Sequence, residues 1–209
     1  MSSHSFAGDL MVYFLSHKNE ETYSYGMKAL DGDIDKIQPI DLSRDEGVRI
    51  WATYAYRGRA FEADHIPTCI ELEGPKRKIT DIYGGFGLFV DEKFKAAVER
   101  LEPGIHQFFP VEFVWKDGSH AAHRFWFVPC NRLDTVDRQM TTFEFRNLWH
   151  LKGDKTKHLV FSRAQIGDHH VWIDKFIAAP TPAISETLKA ELDAAGVTGA
   201  HYQHFPETD

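Results

Sequence analysis

Twelve histidines in 209 residues are the first feature that could carry chemistry, because neutral imidazole is the commonest protein ligand for zinc and related ions. The tightest groups are His120 and His123 in "HAAH", Asp168, His169 and His170 in "GDHH", and His201 and His204 in "HYQH". A spacing of three suits a helix, where both side chains share a face; along a strand, positions i and i+3 point to opposite faces. The surroundings of "HAAH" and "HYQH" read as strands, so neither pair is expected to converge. The helical pattern His-Glu-x-x-His is absent, as is any Cys-x-x-Cys pair. Neither a metal nor a cofactor is therefore expected, although convergence of ligands from separate groups is left open by spacing.

Other chemistries fail on particular residues. The run "DGDID" (Asp31, Asp33, Asp35) opens like a calcium loop, but Lys36 and Leu42 stand where that loop needs Gly and Glu. A solvated acidic turn is expected instead. The glycines of "YGGFG" (Tyr83 to Gly87) are followed by "LFV" before any helix, and no Lys-Ser or Lys-Thr pair follows. They read as a bulge or turn that only glycine fits, not as a phosphate cradle. Asp64 and His65 precede Cys69, yet an activated thiol needs a basic neighbour in space, and Cys69 in an apolar strand reads as a small buried residue. Asp134 and Asp137 have the right type for acid–base work but read better as turn and capping residues. No Gly-x-Ser-x-Gly elbow occurs. No catalytic residue is assigned.

The elements that must position these side chains are mainly strands. Sixteen Phe, seven Tyr and five Trp cluster in short runs of the kind that favours pleated structure. Strands are expected at Leu10 to Ser16, Val48 to Tyr56, Cys69 to Leu72 and Gly87 to Val90, and further ones at "TTFEFR", "HLVFS", "HVWI" and "GAHYQHF". The clearest hairpin places Val111, Phe113 and Trp115 before the turn "KDGS", with Phe125 and Phe127 on the return strand. Asp-Gly between apolar runs favours it, because both residues tolerate the positive φ of a tight turn.

Two helices are expected. One runs from Glu186 to Ala195, capped by Ser185 and stopped at Gly196, with Leu188, Leu192 and Ala195 on one face. The other is capped by Asp91, buries Phe94, Val98 and Leu101, and stops at Pro103-Gly104. The two belong to a repeat. "LFVDEKFKAAVERLEPGIHQFFP" (Leu88 to Pro110) and "AISETLKAELDAAGVTGAHYQHFP" (Ala183 to Pro206) each give an apolar strand, a capped amphipathic helix, a glycine and an aromatic strand. Two related units packing together are expected. The fold class is α+β: mainly antiparallel sheet with two short amphipathic helices from the repeated strand–helix–strand unit. The chain reads as a single domain over residues 1–209, or as two closely packed halves, 1–115 and 116–209.

Composition narrows the function classes. A formal net charge of -7 argues against a nucleic-acid partner, since phosphate contacts need clustered Lys and Arg. No run approaches the ~18 consecutive apolar residues of a membrane helix, and the opening lacks a secretory pattern. A cytoplasmic protein with no membrane partner is expected. Its two cysteines, Cys69 and Cys130, read as free thiols.

The C-terminal run "ISETLKAELDAAGVTGAHY", with Gly196, Val197, Thr198, Gly199 and Tyr202, resembles the closing signature of a bacterial immunity-protein family, immunity protein type eleven. The segment "FVPCNRLDTVDRQMTTF", through Asn131, Leu133, Asp134 and Asp137, is similar to that family's aromatic strand and Leu-Asp-x-x-Asp element. Phe161 and Arg163 continue the similarity, which spans roughly Gly87 to Phe205. The resemblance implies an antidote that binds a cognate polymorphic toxin and masks its active site, without chemistry of its own; a homodimer is compatible with this role. Guessed toxin contacts are Asp31, Asp33 and Asp35 and the loop Asp168, His169, His170. The alternatives are a metal-assisted hydrolase using clustered histidines, and a self-associating structural module.

Overall fold

A computed structural model describes residues 11–18, 26–40, 58–151, 156–178 and 181–208. The strand expected at Val48 to Tyr56 lies outside the described residues. In chain order the elements are β1 (Met11–His17), β2 (Met27–Ala29), β3 (Cys69–Leu72), β4 (Ile82–Gly84), β5 (Leu88–Val90), α1 (Glu92–Leu101), β6 (Gln107–Trp115) and β7 (His120–Val128). There follow β8 (Arg132–Leu133), β9 (Phe161–Ser162), α2 (Arg163–Ile166), β10 (Val171–Asp174), β11 (Ala183–Ser185), α3 (Glu186–Ala194) and β12 (Ala200–Thr208). They build two six-stranded sheets, ordered β8-β10-β11-β1-β12-β9 and β2-β3-β6-β7-β5-β4. Most pairings are antiparallel, as expected of this α+β fold; β8 with β10, β9 with β12 and β3 with β6 are parallel.

The repeated segment has one architecture in both sheets. β5 and β6 both pair antiparallel with β7, so they run parallel to each other with β7 between them. In the other sheet, β11 and β12 flank β1 in the same way. Each copy is a split β–α–β unit whose central strand comes from elsewhere in the chain. The boundary between residues 115 and 116 falls at the tip of the β6–β7 hairpin, so strands on either side of it share one sheet.

Both helices begin where local chemistry says they should. The Asp91 carboxylate accepts the Phe94 N–H (3.0 Å), and the Ser185 hydroxyl accepts that of Leu188 (3.1 Å), satisfying amides that the helix leaves unpaired. The helices then pack on each other, with Phe94 and Val98 of α1 and Leu188 and Leu192 of α3 in one core alongside Leu15, Leu88 and Phe127. Burying each such side chain stabilises by about 1.5–3 kcal/mol. Ala195, expected on the buried face, is exposed: α3 ends at Ala194 and Ala195 is its C-cap, beyond the last packed turn. The expected strand "TTFEFR" is irregular. Phe145 is 37% exposed and packs on Trp149 and Phe176 under the Arg138 guanidinium, so its ring joins a loop cluster and not a pleat. Of "HLVFS" only Phe161–Ser162 forms a strand, because the Thr141 hydroxyl takes the Val160 N–H (3.0 Å) that a neighbouring strand would otherwise bind.

Polar contacts around Asp81 and Lys93 join the sheets. The Asp81 carboxylate, just before β4, accepts the N–H (2.9 Å) and hydroxyl (2.8 Å) of Thr198, and Lys93 reaches both Asp81 (2.6 Å) and the Gly196 carbonyl (3.2 Å). Gly199, at φ +82°, leaves no room for a side chain: a Cβ there would lie 2.6 Å from the Ile82 carbonyl oxygen. The "Gly-x-Thr-Gly" run is therefore a clamp between sheets. "YGGFG" is the β4–β5 hairpin, and a Cβ at Gly84 would strike the His17 ring, so glycine serves close approach there.

Candidate functional site

Two carboxylates gather histidines, one buried and one half-buried beneath exposed rings. The buried one is Glu102, the C-cap of α1. The chain turns at Pro103-Gly104, with Gly104 at φ +70°, and brings His106 back beneath it. The His106 ring accepts the Cys130 N–H at Nδ1 (3.0 Å), which leaves Nε2 to donate to Glu102 (2.8 Å). Asn131 donates to the other carboxylate oxygen (2.9 Å) and to the Val171 carbonyl (2.9 Å). The Val171 N–H (2.9 Å) and His169 Nδ1 (3.3 Å) complete the shell. Burial alone would push the Glu102 pKa up; the hydrogen bonds, that of His106 foremost, outweigh it and hold the carboxyl below the usual range. This node ties α1, the ends of β6 and β7 and the start of β10 into one hydrogen-bonded unit.

The exposed group lies on the outer face of the second sheet. Along β6, Val111, Phe113 and Trp115 are buried and Glu112 and Val114 face outward, as alternation requires. Across β7, His123 stands opposite Glu112 and Ala122 opposite Phe113, but His120 stands opposite Val114. Ala121 is an extra residue, a β-bulge, and it changes the parity of the strand. His120 therefore emerges on the same face as His123, and both rings close on the Glu112 carboxylate through Nδ1. The expectation that "HAAH" cannot converge is thus overturned, because i and i+3 share a face when a bulge sits between them. The ring centroids are 5.0 Å apart, and the three ligating atoms lie within 4.8 Å of one another.

Beside this group, Cys69 of β3 is in register with Glu112. It is half-buried, not fully enclosed. Burial first, then the charges of Asp31 and Glu112, push its thiol pKa up, which disfavours the thiolate a nucleophile would need. The helix α1 covers the part of this face formed by Phe125 and Phe127, with Lys95 over the Phe125 ring. Glu112, His120 and His123 lie beyond that cover.

The guessed contact residues divide into two places. Asp31 accepts the N–H groups of Thr68 (2.9 Å) and Cys69 (3.0 Å) and the Thr68 hydroxyl, tying its turn to the start of β3. Asp33 caps the short 3-10 turn Ile34–Lys36 and pairs with Lys36 (3.0 Å); Asp35 is exposed within that turn. Leu30, next to Asp31, is 48% exposed. In the other place His169 faces Glu102 and His170 bonds the Ser185 hydroxyl (2.7 Å), so both side chains have internal partners, while Asp168 is exposed. Asp137 is a turn residue as expected, accepting the Gln139 (2.8 Å) and Met140 (2.9 Å) N–H groups.

Glu102, His106 and Glu112 were not found by sequence reasoning. A carboxylate at the end of α1, where the helix dipole disfavours it, was the available signal for Glu102. For Glu112 there was none, since its partners depend on the bulge.

Among the described residues no helix is long and apolar enough to cross a membrane. No curated protein matches the chain. A family model described as "Immunity protein family (Imm11)" matches residues 44–206.

Proposed function

This chain belongs to the immunity protein family Imm11, and we propose on that footing that it binds and neutralises a cognate bacterial toxin in the cytoplasm. It acts by covering the toxin's active surface and performs no catalysis itself. The family match over residues 44–206 carries this reading. The contact surface we assign is the turn bearing Asp31, Asp33 and Asp35, together with the outward face of β3 and β6 beyond α1. Charge supports that choice: a chain with formal net charge -7 presenting carboxylates on an accessible face attracts a basic partner and speeds its association. Leu30 adds an exposed apolar side chain to the same turn, in keeping with an interface whose apolar centre is ringed by polar groups. Asp168, exposed beside the internally bonded His169 and His170, is a secondary contact.

Co-expression with the product of the adjacent reading frame tests the reading. The expected result is a stable complex in size-exclusion chromatography and rescue of growth from the toxin. Asp35→Lys, at an exposed side chain, should slow association at low salt and leave the fold intact. Failure of every neighbouring toxin candidate to bind or be neutralised would defeat the proposal.

A further inference from the structure

We propose that Glu112, His120 and His123 form a binding site for one divalent transition-metal ion of the zinc class, near the turn of the β6–β7 hairpin. Two imidazole nitrogens and a carboxylate oxygen are a donor set that zinc accepts, and three protein ligands leave one position of a tetrahedral ion for water or another ligand. The backbone supplies the arrangement. Glu112 and His123 are directly opposed across β6 and β7, His120 is opposed to Val114 one outward position further on, and the bulge at Ala121 puts all three on one face.

The geometry is close to that of a loaded site. Zinc–ligand distances of ~2.1 Å set tetrahedral ligand atoms about 3.4 Å apart, and these atoms already lie within 4.8 Å of one another. The remaining adjustment falls to side chains with room for it: His120 and His123 are 58% and 84% exposed, whereas Glu112, at 31%, is the anchored member. Each imidazole meets the carboxylate through Nδ1, so the nitrogen nearest the sheet is the ligand and Nε2 points away from it. Neighbouring charge favours a cation: Cys69, in register with Glu112, donates its N–H to the Asp31 carboxylate (3.0 Å), and Glu71 faces outward on β3.

The test uses the full chain, purified without a histidine tag, stripped with chelator and titrated with zinc chloride by calorimetry. One zinc per chain is expected. Glu112→Gln, His120→Gln and His123→Gln, which keep size and polarity, should each weaken binding at least tenfold. A His201→Gln, His204→Gln double variant, altering the other i, i+3 pair, should bind as the unaltered protein does. Cobalt(II) gives a second readout: a visible absorption band of a low-coordinate ion, lost in the three site variants while their far-ultraviolet circular dichroism stays the same. If the unaltered chain takes up no zinc, or if the three variants bind as tightly as it does, the site does not exist.

Discussion

Glu102 and Glu112 each set one carboxylate against two histidine rings, but the sheet closes over the first and leaves the second open. At Glu102 the oxygens also accept from Asn131 and from the Val171 N–H, and the His106 side chain is 0% exposed. The lone pairs are spoken for, so the group can hold elements together and do little else. At Glu112, among the described residues, the two imidazoles are the polar partners seen, and both are largely exposed. The same residue types thus make a structural node or a site with spare valence according to how many backbone and amide donors the fold brings to them. Asp81 stands between the two extremes, a half-covered carboxylate held by Thr198 and Lys93.

The contrast breaks most readily at its buried end. Glu102→Ala should lower unfolding free energy by about 3–5 kcal/mol, because it leaves the His106, Asn131 and Val171 donors without their acceptor. Urea denaturation measures this, and a loss below about 1 kcal/mol would show that the node is not what joins α1 to β10. Glu102→Gln, which keeps volume and one acceptor oxygen, should cost less.

Asp81→Ala comes next, with an expected loss of about 2 kcal/mol at pH 7. The Asp81 carboxyl is pulled down to about 2: burial opposes ionisation, but the hydrogen bonds from Lys93 and Thr198 prevail. Because the folded value is depressed, this stabilisation is complete above the ordinary value of 3.8 and fades as pH falls toward about 2. Glu102 adds to the acid limb in the same sense, since its folded pKa also lies below the ordinary value. Thermal melts of the unaltered chain should therefore weaken through this window, and the Asp81→Ala variant should show a shallower decline.

The exposed end should be quiet. Glu112→Gln is expected to change stability by less than about 0.5 kcal/mol, as exposed ion pairs contribute little. Zinc should raise the melting temperature of the unaltered chain and not of this variant, because an ion bound to the native state alone stabilises it by mass action. A large intrinsic loss on Glu112→Gln would mean that both carboxylates are structural and the comparison collapses.

Much of the frame was legible in the residues. Asp91 and Ser185 are read as caps because a cap acts on the amide three residues ahead, and both do so. The repeat was visible for the same reason: each copy carries its helix signals within a few residues. What the repeat could not reveal was that β7 and β1 would insert between its strands, because each central strand lies outside the repeated segment and β1 comes from the other end of the chain. "TTFEFR" has strand composition, but among the described residues it forms a single bridge, Phe145 with Trp149, and no ladder. Of the resemblance motif, Thr198 and Gly199 meet Asp81 and Ile82 across the sheets, so their chemical necessity is apparent only in three dimensions.

The sequence by itself determined the α+β class, the capped helices and the Asp-Gly hairpin, which rest on interactions between residues close in the chain, and it carried the family pattern as residue identities alone. Tertiary structure alone decided which carboxylates meet which histidines. One extra residue in β7 reverses the facing of His120, and the return of β10 toward the end of α1 encloses Glu102. The first follows from register across the hairpin and the second from packing of segments distant in the chain, and no spacing rule encodes either.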